Sequence, residues 1–114
     1  MMDYLTAYCK RRENNHNVLM ALAEQLKARG CKVYSTKCEK ARNMREYIVV
    51  EKDSKRNIVG FAEVPYRWYI GSSYSGKISG LVGEDTYGFP FTIDEIIESL
   101  VPTTQKIDWF YVEI

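Results

Sequence analysis

Residues able to do acid–base or nucleophilic chemistry near neutral pH are few in this chain. Its one histidine, His16, sits in the polar run Asn14-Asn15-His16-Asn17. An imidazole titrates near neutrality and is the commonest general acid or base. No Ser or Cys stands at motif spacing from His16, and there is no G-x-S-x-G elbow. P-loop, H-E-x-x-H and G-x-G-x-x-G patterns are also missing. An exposed or helix-capping role is expected for His16. Cys9, His16, Cys31 and Cys38 are potential zinc ligands. Tetrahedral zinc needs donors at ~2.0–2.3 Å, usually supplied by close pairs such as C-x-x-C. Cys9 and His16 would lie about 10 Å apart on a continuous helix, so no metal site is expected. Glu46 and Glu63 face each other if their hairpin closes through a four-residue turn, and facing carboxylates can divide acid and base roles. No third carboxylate completes a nuclease-like cluster. The expectation is therefore no catalytic residues and no cofactor, with a small enzyme built on His16 or the Glu46/Glu63 pair as the minority alternative.

Binding chemistry is better represented. Tyr66-Arg67-Trp68-Tyr69 follows Pro65 and leads through Ile70 into Gly71-Ser72-Ser73-Tyr74-Ser75-Gly76. Strand alternation sends Tyr66, Trp68 and Ile70 to one face, and Arg67 with Tyr69 to the other. If the first face is core, the second offers Arg and Tyr beside a Tyr/Ser/Gly loop, a composition favoured at protein-binding hot spots. It also suits stacking on bases. The plain structural alternative is that all four residues are packing. The candidate partner-binding set is Arg67, Tyr69, Tyr74 and Trp68, together with the basic run Lys10, Arg11 and Arg12.

That basic run belongs to a charge asymmetry. Residues 1–57 hold 13 Lys and Arg against 7 Asp and Glu, while residues 58–114 hold 3 against 8. The whole chain carries a net charge of only +1, which excludes a strongly basic nucleic-acid wrapper and an acidic mimic of DNA. With 46% hydrophobic and 27% charged residues, disorder and rod-like repeats are also excluded. The 114 residues suit one domain, 1–114. No apolar run approaches the ~20 residues of a membrane span, and no signal-peptide core follows Met1. Three cysteines cannot all pair within one chain, so a reduced, cytoplasmic setting is expected, each cysteine acting as a small buried hydrophobe.

The elements that must position these residues follow from periodicity. Leu5, Tyr8, Arg12, Leu19, Leu22 and Leu26 fall at helical spacing, with Asn14–Asn17 interrupting the stripe and leaving one bent helix or two. Gly30 supplies a C-terminal stop. Strands are expected over 31–36, 45–52, 57–64, 66–72, 77–82 and 107–114, with a turn at Asp53-Ser54-Lys55-Arg56. Thr92 and Glu95 form a capping box, Phe91 and Ile96 a hydrophobic staple, and Ile93, Ile96, Ile97 and Leu100 a buried stripe that Pro102 terminates. The fold class is α+β: a mostly antiparallel sheet of four to five strands, an N-terminal helical segment and a C-terminal helix before the last strand.

Val59-Gly60-Phe61-Ala62-Glu63-Val64-Pro65-Tyr66 resembles the ribonucleoprotein octamer of RNA-recognition-motif domains over eight positions. Val59 stands where that family has Lys or Arg, and Glu63 where it has a base-stacking aromatic. Tyr69-Ile70-Gly71 resembles the second half of the GIY-YIG nuclease signature, whose first half is missing. Both are read as coincidences. Asp94 and Glu95 at the start of the last helix also oppose the phosphate grip of double-stranded-RNA-binding domains. The expected function is a small non-enzymatic binding protein, an accessory protein of a phage or mobile element that inhibits a host protein or nucleoprotein defence complex. A single-stranded nucleic-acid binder using the basic N-terminal half is the alternative. No membrane partner is expected, and the oligomeric state stays open.

Overall fold

The computed structural model describes residues 4–36, 47–63, 66–71, 77–78, 91–107, 109 and 111–114. One helix, α1 (Tyr4–Ala28), runs unbroken through the Asn-rich stretch. Asn14 is accommodated by donating its Nδ2 back to the Lys10 carbonyl, 3.1 Å away, a local bond available to this side chain within a helix. Asn15 falls on the stripe of Leu19, Leu22 and Leu26 and is buried, its Oδ1 without a hydrogen-bond partner among the described residues. The helix closes as expected at Gly30, whose φ is +88°. Gly30 N–H donates to the Lys27 carbonyl and Cys31 N–H to that of Leu26, both at 3.0 Å. This is a Schellman closure, with buried Cys31 and Leu26 as its hydrophobic pair.

The sheet is an antiparallel meander of β1 (Lys32–Thr36), β2 (Tyr47–Lys52), β3 (Lys55–Glu63), β4 (Tyr66–Ile70) and β5 (Lys77–Ile78). The chain then forms α2 (Ile93–Glu98), a short β6 (Val101–Pro102) and β7 (Tyr111–Glu113), which pairs antiparallel with β1. The α+β class and the order of helix, sheet, helix and final strand agree with the sequence. The hairpin turn is shorter than expected. Asp53 and Ser54 have φ of 53° and 61°, so two residues close it and Lys52 pairs with Lys55. Such left-handed two-residue turns match the twist of paired strands. A further difference is the brief β6, which sequence periodicity does not reveal; the last strand is described over Tyr111–Glu113.

One apolar cluster joins the layers. Leu19, Leu22 and Leu26 of α1 and Ile96 and Leu100 from the α2 segment meet Val33, Ile48, Val50, Val59, Phe61, Trp68 and Ile70 of the sheet. Both helices therefore cover the same sheet face. The capping box is complete: Glu95 N–H donates to Thr92 Oγ1 at 3.0 Å, and Thr92 N–H to Glu95 Oε1 at 3.1 Å. Arg29 at the end of α1 reaches Asp94 at 2.6 Å, joining the helices at the surface.

One edge of β3 is shared between two partners. β4 pairs with Val59–Glu63, and β6 with Lys55 and Arg56. Gly71 (φ +94°) turns the chain away after its N–H donates to the Ile58 carbonyl. Asn57 spans the interval, its Nδ2 donating to the Ser99 carbonyl at 2.9 Å.

Candidate functional site

Alternation along the strands assigns every second residue to the face turned away from the helices. Tyr47 pairs with Gly60, Gly60 with Tyr69, and Tyr69 with Ile78. On the other side Tyr111 pairs with Thr36 of β1, the strand lying between β2 and β7. Three tyrosines thus stand along one cross-strand row, with the small residues Thr36 and Gly60 in the strands between them. Adjacent strands are ~4.8 Å apart, and the bare backbone at Gly60 gives the neighbouring Tyr69 ring room to lie over the sheet.

The geometry bears this out. The Tyr47 and Tyr111 rings meet edge to face at 6.3 Å between centroids and 79°, with their hydroxyl oxygens 3.0 Å apart. A β-carbon at Gly60 would come within 2.6 Å of Tyr69 Oη and 2.8 Å of Tyr47 Cβ, so the Tyr69 phenol lies directly across the Gly60 backbone. All three tyrosines remain partly exposed. In the next row along the strands, Tyr34 and Val49 are buried neighbours on the same face. Burial pushes the Tyr34 phenol above its ordinary range, and the Glu51 and Glu113 carboxylates push the same way, with Arg56 opposing. The phenol is therefore held protonated.

Charge on this face is balanced among the described side chains. Arg56 donates from Nε and Nη2 to Glu51 Oε2 at 3.1 and 2.7 Å, and from Nη2 to the Gln105 carbonyl at 2.8 Å. Lys32 shares the face by register with Glu51, and Glu113 with Tyr34.

The sequence-derived candidates separate. Tyr69 stands on this face, whereas Arg67, paired with Ala62 in the β4 register, has a side chain outside what the structure describes. Trp68 points the other way, fully buried and packed edge to face on Phe61 at 5.0 Å. Its indole serves the core and has no surface to offer, which corrects its place in the partner-binding set. Lys10 is exposed on α1, the helix that packs on the sheet face opposite the tyrosines, so Lys10 and the aromatic row belong to different layers. The side chains of Arg11 and Arg12 lie outside what the structure describes. Tyr74 lies outside the described residues. Tyr34, Tyr47 and Tyr111 were missed as candidates because each sits in a strand that reads as ordinary β sequence; alternation aligned across strands was the signal available.

The proposed carboxylate pair loses its geometric basis. A two-residue turn places Tyr47 opposite Gly60, and Glu63 pairs with Tyr66 of β4. Facing of Glu46 and Glu63 required the longer turn; Glu46 itself lies outside the described residues. His16 is half-buried on α1. Among the described residues no three His, Cys, Asp or Glu side chains form a group able to hold a metal ion. No described helix is long and apolar enough to cross a membrane. The octamer-like segment places Phe61 in the core, facing the helices.

Comparison with protein-family models, with curated proteins and with solved structures finds no match to this chain.

Proposed function

We propose that this chain is a non-enzymatic binding protein whose protein-binding surface is the sheet face bearing Tyr47, Tyr69 and Tyr111. The observation that carries the reading is the row itself: partly exposed rings fixed by a hydroxyl–hydroxyl bond and by the seat at Gly60. Tyrosine supplies large amphipathic contact area, and rings already fixed lose little freedom when a partner arrives. Balanced charge favours a protein partner over a phosphate backbone, since Arg56 is already engaged by Glu51. In its most concrete form the partner is a host protein or nucleoprotein complex. The chain then acts by occupying it, as a phage or mobile-element inhibitor of host defence would.

The test is affinity capture from the native host's lysate with and without nuclease, comparing the wild-type chain, Tyr69→Ala, and charge reversal at Lys10, Arg11 and Arg12. One protein should be retained after nuclease and lost with Tyr69→Ala, at a cost of about 2 kcal/mol or more. Charge reversal should alter mainly the association rate, in a salt-dependent way. Capture that vanishes with nuclease and with the charge reversal would instead make the chain a nucleic-acid binder.

A further inference from the structure

We infer that Tyr47 and Tyr111 are an oxidative modification site, at which a one-electron oxidant joins the two rings as dityrosine and ties β7 to β2 across β1. The rings approach through their hydroxyl ends: the oxygens are 3.0 Å apart, against 6.3 Å between centroids. The carbons ortho to each hydroxyl therefore flank the point of approach. Those carbons carry much of the unpaired spin of a phenoxyl radical, and dityrosine forms by bonding two of them. Its two rings stand out of one plane, as these already do at 79°. Both residues belong to paired strands, so coupling asks for movement of the rings and no change of register.

The step balances with a ruthenium(III) complex as oxidant and persulfate as the final electron acceptor. Each phenol gives up one electron to the oxidant and its hydroxyl proton to water, leaving two phenoxyl radicals. An ortho carbon–carbon bond forms between them. The hydrogen on each bonded carbon then moves as a proton to the phenol oxygen, restoring both aromatic rings. Two electrons and two protons leave the chain, and one persulfate becomes two sulfates. Tyr47 and Tyr111 are both partly exposed, which gives their protons a path to water. The neighbouring phenols are less well placed. A β-carbon at Gly60 would lie 2.6 Å from Tyr69 Oη and 2.8 Å from Tyr47 Cβ. The Tyr69 hydroxyl thus lies by the root of the Tyr47 side chain, away from its phenol end. Tyr34, in the next row, is buried. The inference rests on this pair's geometry and holds whatever docks on the face.

The test is brief photo-oxidation of the dilute full chain with a ruthenium(II) tris-bipyridyl complex and persulfate. A fluorescent, monomeric product lighter by two hydrogen atoms is expected. Proteolytic mapping should find the Tyr47 peptide joined to the Tyr111 peptide as the main linked pair. In denaturing urea that preference should vanish, a comparison that needs no variant to fold. Tyr47→Phe and Tyr111→Phe should each abolish the linked product. No dityrosine from the folded chain, under illumination that couples free tyrosine, would overturn the inference. So would links formed chiefly at other tyrosines or between chains, or a Tyr47–Tyr111 link made equally well in urea.

Discussion

The hydroxyls of Tyr47 and Tyr111 stand 3.0 Å apart although the two residues are 64 positions apart in sequence and β1 lies between their strands in the sheet. Their edge-to-face rings link β2 to β7 above β1, which stiffens the face where a partner is proposed to dock. Removing either hydroxyl by Tyr47→Phe or Tyr111→Phe should destabilise the fold by about 0.5–1.5 kcal/mol. The double variant should lose little more than one single variant does. Urea midpoints in a double-mutant cycle measure that coupling, and full additivity would show that the hydroxyls do not act as a pair.

Gly60→Ala should destabilise by about 1–3 kcal/mol, as overpacking does. The new methyl would meet the tip of the Tyr69 ring, which can swing, and Tyr47 Cβ, which is fixed to the backbone. Tyr69 must then leave its seat. Near-UV dichroism and partner capture should change together with the urea midpoint.

At α2, Ile96→Ala should cost about 2–5 kcal/mol, because Ile96 is fully buried. Ile97→Ala should cost less, because Ile97 is only partly buried against the same cluster. Thr92→Ala should cost about 1 kcal/mol through loss of the cap. Denaturant unfolding of the three variants ranks them.

Asn15→Leu should raise stability by about 1–2 kcal/mol. It continues the stripe of Leu19, Leu22 and Leu26 and removes a buried carbonyl oxygen that has no hydrogen-bond partner among the described residues. A lower urea midpoint would show that the amide has a binding role inside the fold.

Tyr34 makes stability pH-dependent in the alkaline range. Its folded phenol ionises above the ordinary value of about 10 because of burial and the nearby Glu51 and Glu113 carboxylates. The unfolded phenol ionises first as pH rises, so stability contributed below that value is lost above it. Between pH of about 10 and the folded ionisation, wild type should lose stability more steeply than Tyr34→Phe. Parallel curves would place the phenol in an ordinary environment.

The sequence was most legible where one short motif specifies local geometry. Thr92 with Glu95, and Gly30 after Ala28, each state a helix end in a few residues, and both closures form. Alternation through Trp68, Tyr69 and Ile70 also assigned sheet faces correctly, because a period of two survives errors in strand length. A turn two residues shorter shifts β2 against β3 by two positions, which leaves every face unchanged but unseats the Glu46–Glu63 pairing. The tyrosine row was not legible because no segment contains it. It exists only when β7, β1, β2, β3 and β4 lie side by side, and sequence spacing carries no signal for the β1–β7 pairing. The unbroken α1 was hidden for a different reason: Asn14 satisfies its side chain on the preceding turn, and propensity does not anticipate that bond.

The divided edge of β3 and the late arrival of β7 bear on the order in which the chain can fold as it is made. β1 and the early part of β3 receive their outer partners from residues 101–113, so two edges stay open until those residues have been made. At about 5–20 residues per second, translation of that stretch takes roughly 1–3 s. During that interval the nascent helix and meander present unsatisfied backbone along two strands at once. Pairings spanning such long stretches of chain also close slowly. Stalled or slowed synthesis over this stretch would lengthen exposure of both edges to other nascent chains.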